Sequence, residues 1–102
     1  GENRIYIPII SMYMKDLELL SWIARGSQRR EIIRVIEGLK IPAQIYTEAR
    51  KYNPKITRNS VSDVLREFKK NRLAYCINED AIKGRFWQLT EKGKKLRKRL
   101  YH

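Results

Sequence analysis

A change of hydrophobic period in the second half of the chain narrows the fold more than any other feature. Val61, Val64, Leu65 and Phe68 recur at i, i+3, i+4 and i+7, which places them on one face of a helix over 58–72. Thr57 precedes that run as an N-cap, and Asn71-Arg72-Leu73 closes it. Two short strand-like runs follow, 74–78 and 85–90. They flank Glu79-Asp80-Ala81-Ile82-Lys83-Gly84, a loop with glycine near its end. Thr90 then caps a last helix over 91–101. Helix, hairpin and helix in such quick succession leave room for only one packed unit.

Upstream, residues 2–10 read as an extended arm, with Ile5, Ile7 and Ile9 alternating with Tyr6, Pro8 and Ile10. Pro8 limits it to an edge strand or an arm. A helix beginning near Ser11 or Asp16 runs to Arg25. Leu17, Leu20 and Ala24 share one side of it, while Leu19, Trp22 and Ile23 add a second. A helix apolar on two sides needs burial on both, and a second subunit is one source of it. Gly26 ends this helix and Ser27 caps the next, over 28–39, with Ile32, Ile33, Ile36 and Leu39 inside and Arg29, Arg30 and Arg34 outside. Lys40 and Ile41 form a short link. Pro42 suits the first position of a third helix, 42–52, whose inner face is Ile45, Ala49 and Tyr52. The expectation is a mainly α fold with a small β-hairpin, a winged helix-turn-helix with extra N- and C-terminal helices. Residues 1–15 form an arm and 16–102 the domain.

Composition removes several function classes. The chain has 102 residues, too few for a barrel or doubly wound enzyme. Apolar residues make up 42%, enough for one modest core. The single cysteine, Cys76, excludes an intrachain disulfide and a multi-cysteine zinc site. The single histidine, His102, is the last residue. No metal, cofactor or catalytic residue is expected, and an enzyme is not. Glu79 and Asp80 are adjacent in a loop, where consecutive side chains diverge, without a partner for acid–base work. The longest apolar stretch, Ile5 to Met14, is ten residues and is broken by Pro8 and Ser11, so neither a membrane span nor a signal peptide is expected. With one cysteine, this points to a reducing, cytoplasmic location.

Charge then points to a partner. There are 23 Lys and Arg against 11 Asp and Glu, a formal net charge of +12. Residues 1–40 carry seven basic and five acidic side chains, whereas 41–102 carry sixteen and six. A basic excess on so small a domain suits a polyanion, because Lys and Arg displace condensed counterions from phosphates. Double-stranded DNA is the expected partner, since an exposed helix face fits the major groove. The polar face of 58–72 holds Asn59, Asp63, Arg66 and Lys70, with Ser62 and Glu67 beside it and Lys69 near its end. Arg58, Asn59, Ser60 and Ser62 lie at its start. Asn59 suits adenine and Arg66 suits guanine. Asp63 either accepts from a cytosine amino group or orients Arg66 at i+3. An ordinary solvated helix face accounts for the same residues, and Asp63 and Glu67 favour that reading.

Lys83 and Arg85 put positive charge on the hairpin, at the backbone or in the minor groove. Glu79 and Asp80 oppose this and are expected on the side away from phosphate. Either Phe86 or Trp87 serves as the core aromatic that pins the hairpin. Lys92, Lys94, Lys95, Arg97, Lys98 and Arg99 reach flanking phosphates or form the solvated face of a dimerising helix.

At Ser27-Gln28-Arg29-Arg30-Glu31-Ile32-Ile33, Val61-Ser62-Asp63-Val64-Leu65-Arg66-Glu67-Phe68 and Gly84-Arg85-Phe86-Trp87-Gln88-Leu89-Thr90-Glu91-Lys92-Gly93, the chain resembles archaeal winged helix-turn-helix transcriptional regulators of the MarR/ArsR-like kind. The resemblance covers about residues 16–100 and implies a DNA-binding regulator, a homodimer joined through terminal helices. It implies a recognition helix at 58–72 and a wing tip at 79–85. The stretch from Ile45 to Ile56 is longer than the compact turn of that group, and its metal-sensing cysteines are absent. Two other functions stand beside this one: a winged helix that docks proteins in a transcription or replication assembly, and a nonspecific chromatin-type DNA binder.

Overall fold

The computed structural model describes residues 15–101, so the whole apolar run from Ile5 to Met14 and all of the expected arm except Lys15, which is helical, lie outside the described residues. The described chain is mainly helical and carries one two-stranded antiparallel sheet. Helix α1 is helical over 15–25. It is followed by α2 (Ser27–Val35), α3 (Pro42–Ala49), α4 (Arg58–Lys70), β1 (Ala74–Cys76), β2 (Trp87–Leu89) and α5 (Glu91–Tyr101). No helix among the described residues is long and apolar enough to cross a membrane.

The core gathers one stripe from each element, with Phe68 of α4 fully buried among Ile23, Ile32, Ile33, Ile45, Leu65, Leu73 and Leu96. The four residues that set the period of α4 are all buried. Trp22 meets Phe68 edge-on, with centroids 6.0 Å apart. Of the two apolar sides of α1, the Leu19, Trp22 and Ile23 side and Leu20 pack against the core. Leu17 and Ala24 are only partly covered.

Several boundaries differ from the sequence expectation, each for a local reason. Ser27 is the first residue of α2 rather than its cap. Gly26 holds the N-cap position with extended backbone. The α1–α2 corner is fastened instead by Arg29, whose Nε donates to the Trp22 carbonyl at 2.9 Å while its guanidinium lies 4.5 Å from the indole centroid. Helix α2 stops at Val35, four residues early. Gly38 adopts φ +64°, and Lys40 then exchanges two backbone hydrogen bonds with Trp87. The link therefore adds a one-residue bridge to the free side of β2, and Leu39 is left exposed.

The carbonyl of Arg34, orphaned at the end of α2, accepts from Nε and Nη2 of Arg97 in α5 at 2.8 and 2.6 Å. Helix α3 ends at Ala49, so Tyr52 falls outside it and is half exposed, with the Arg34 guanidinium 3.7 Å from its ring centroid. Ile56, buried beyond the turn, is the anchor for this longer connection. The strands are shorter than expected because only Ala74–Cys76 and Trp87–Leu89 pair, in the register Ala74 to Leu89, Tyr75 to Gln88 and Cys76 to Trp87. Trp87 is the buried aromatic of the hairpin and Phe86 is exposed.

Helix caps fix the remaining turns. Thr57 and Ser60 satisfy each other's backbone N–H groups at the start of α4, at 3.1 and 2.8 Å. At its end, the Leu73 N–H donates to Phe68 and the Arg72 N–H to Lys69, a Schellman closure that places Arg72 at φ +60°. A non-glycine residue is strained there. Arg72→Gly is therefore expected to stabilise the fold by about 0.5–1 kcal/mol, read as a raised urea midpoint with unchanged slope. A lower midpoint would mean that the arginine side chain contributes more than its backbone costs.

Candidate nucleic-acid interface

The face of α4 opposite its buried stripe is open to solvent. Arg58, Asn59, Ser62, Asp63, Arg66, Glu67, Lys69 and Lys70 are all exposed there, while Ser60 is half covered and occupied in the cap. At its N-terminal end this face adjoins α3 across a shallow groove lined by Pro42, Ala43, Arg58 and Ser62. The helix is stiffly mounted, because its whole inner stripe is in the core and both ends are capped. A side chain on its outer face is therefore displayed at a fixed height and angle.

The expected site residues fall into two groups. Among the described residues, Arg58, Asn59, Ser62, Lys70 and Lys83 are exposed and make no side-chain hydrogen bond or ion pair. The others are engaged. Asp63 pairs with Arg66 on the same face. Lys69 pairs with Glu79 of the hairpin loop. Arg85 Nε donates to the Ala81 carbonyl at 2.8 Å, which turns it back along the loop. Glu79 thus lies toward α4, beside Lys69.

Hydrogen bonding from Lys69, and then its charge, hold the Glu79 carboxyl below the ordinary glutamate value. A lowered folded-state pKa means that this tether stabilises the folded loop fully above the ordinary glutamate range. The contribution is lost as the pH falls through the lowered value. Glu79→Gln removes an acid from the face and releases Lys69. The expected result is tighter duplex binding and a log–log salt dependence steeper by up to about one unit, measured by anisotropy titrations across salt concentrations. An unchanged slope would place Lys69 away from phosphate.

Two side chains enter this surface that the sequence reading did not assign to it. Tyr46 of α3 accepts a hydrogen bond from Arg50 Nη1 at 2.9 Å. The guanidiniums of Arg50 and Arg58 stand 5.3 and 5.4 Å from its ring centroid. One tyrosine thus holds two arginines at the α3–α4 corner, within cation–π range. The i, i+4 spacing of Tyr46 and Arg50 was the available signal. The contribution of Arg58 depends on how the turn brings α4 back beside α3, which no local pattern encodes.

The outer side of α5 is strongly basic, with Lys94, Lys95, Lys98 and Arg99 exposed and Leu96 buried on the other side. Among the described residues, no cluster of three or more His, Cys, Asp or Glu side chains is arranged to hold a metal ion. Comparison of the chain with protein-family models, with curated proteins and with solved structures finds no match.

Proposed function

We propose that this chain is a transcription regulator that binds double-stranded DNA as a winged helix-turn-helix. In this reading α3 and α4 are the helix pair, α4 enters the major groove, and the hairpin loop 79–85 is the wing on the backbone or in the minor groove. The observation that carries the reading is the rigid outer face of α4. It presents Arg58, Asn59, Ser62, Arg66 and Lys70 together, beside a loop tethered to the same helix through Lys69 and Glu79. Short polar groups and guanidiniums at the start of a helix are the groups that phosphate and base-edge contacts use. The net charge of +12 supplies the nonspecific attraction.

The working unit in this proposal is a homodimer joined through its terminal helices. Two copies of α4 would then occupy successive major grooves about 34 Å apart. Selection of binders from a random duplex library at physiological ionic strength tests the whole reading. An inverted repeat supports a site-specific dimer. Enrichment without a motif supports architectural binding, and loss of all DNA removes the reading. The second reading, a protein-docking module, rests on a different observation: Tyr75, Ile77 and Phe86 leave large apolar surface exposed on the hairpin. It gains first place if no duplex is retained.

A further inference from the structure

Among the described residues Ile82 is 94% exposed, whereas no other large apolar side chain exceeds 52%, and its hairpin neighbours Ile77 and Phe86 stand at 51% and 39%. An isoleucine on a floppy loop would fold down onto those neighbours, because covering apolar surface is favourable. Here the loop backbone is held in place on both sides of it. Asn78 accepts from the Phe86 N–H at 2.7 Å and donates to the Gly84 carbonyl at 3.1 Å. Arg85 donates to the Ala81 carbonyl, and Glu79 is fastened to Lys69 of α4. The loop thus displays an apolar side chain at nearly full exposure, next in sequence to the exposed Lys83.

We propose that Ile82 is a wedge that enters a base step through the minor groove and kinks the duplex. This deepens the DNA-binding reading and rests on it. A stiff β-branched side chain suits the role, because little side-chain entropy is lost on insertion. Insertion covers its apolar surface with base faces while the adjacent cation meets the negative potential of the groove. Charge favours DNA over an apolar protein surface as the occupant. With Glu79 neutralised by Lys69, the loop retains Asp80 against Lys83 and Arg85. Flexible pyrimidine–purine steps such as TA are the expected sites, since they unstack most readily.

The test uses the full chain and a duplex of about 30 base pairs carrying 2-aminopurine beside a central TA step, with a donor and an acceptor dye at its ends. Binding of the wild-type protein is expected to raise the 2-aminopurine fluorescence and shorten the end-to-end distance. Ile82→Ala is expected to lose both signals while its affinity stays within about tenfold of wild type. Lys83→Ala is expected to weaken binding yet keep the fluorescence rise in the bound complex. If the wild-type protein binds without unstacking, or Ile82→Ala unstacks equally well, the wedge is wrong and the DNA-binding reading stands. The exposure of Ile82 would then point to a protein contact. If the wild-type protein does not bind duplex at all, both readings fall. Because Ile82 touches so little of the fold, the alanine variant is expected to unfold at the wild-type temperature, which separates lost wedging from lost folding.

Discussion

Gly93→Ala is expected to destabilise the fold by about 2 kcal/mol or more, with Tm lower by about 10 °C or more. A Cβ at Gly93 would sit 2.1 Å from the Leu73 carbonyl oxygen, 3.0 Å from its carbon and 3.3 Å from the Leu89 Cβ. The first distance is far inside van der Waals contact, and the obstacle is backbone, which cannot rotate aside. Helix α5 would have to lift from the start of β1. That movement strains the Thr90 hydroxyl, which donates to the Arg72 carbonyl and accepts from the Gly93 N–H, and it loosens the buried Leu96.

The opposing effect is the better helix propensity of alanine, worth about 1 kcal/mol, so overpacking at about 3 kcal/mol or more prevails. Gly84→Ala is the control. Its added Cβ meets nothing within 4 Å, and only its φ of +68° is penalised, so a loss of about 1 kcal/mol is expected. Urea unfolding followed by circular dichroism compares the two. Equal midpoints for Gly93→Ala and the wild type would mean that α5 does not rest on Leu73.

That glycine shows how far the sequence could be read. The Thr90 cap and the helical period after it were legible, as were the α4 stripe and its Thr57 cap, because each is written within a few residues. The need for a glycine three residues into α5 was not, since it arises from the approach of a carbonyl twenty residues earlier. The same limit explains the early end of α2. Ile36 and Leu39 keep helical spacing, yet Lys40 is drawn into a bridge with Trp87, a partner 47 residues away. Tyr52 has helical spacing from Ala49 and still lies outside the core, half exposed, while Ile56 beyond the turn is buried.

The candidate site divides similarly. That Asn59, Asp63, Arg66 and Lys70 share an outer face, with Ser62 and Glu67 beside it, followed from 100° per residue. That Lys69 reaches Glu79, and that Tyr46 gathers Arg50 and Arg58, depends on how separate elements pack.

Arg66→Ala is expected to weaken binding to a selected duplex by roughly 5- to 150-fold, about 1–3 kcal/mol, and binding to random duplex much less. The guanidinium of Arg66 stands on the outer face of α4 and is paired with Asp63 one helical turn away. Both groups are well exposed, so their attraction is worth about 1 kcal/mol at most and does not withhold the arginine from a guanine. A bidentate contact with guanine would exceed that pairing, and Asp63 would then act by limiting where the guanidinium points. Asp63→Asn should accordingly relax the preference for the selected base with a smaller loss of total affinity.

Lys95→Ala supplies the contrast. Its side chain lies on the exposed basic face of α5, so its removal should weaken selected and random duplex alike and flatten the salt dependence by about one unit. Competition titrations with both duplexes at two salt concentrations distinguish the two behaviours. If Arg66→Ala instead lowers selected and random binding by the same factor, Arg66 contacts phosphate, and α4 positions the protein on DNA without reading its sequence.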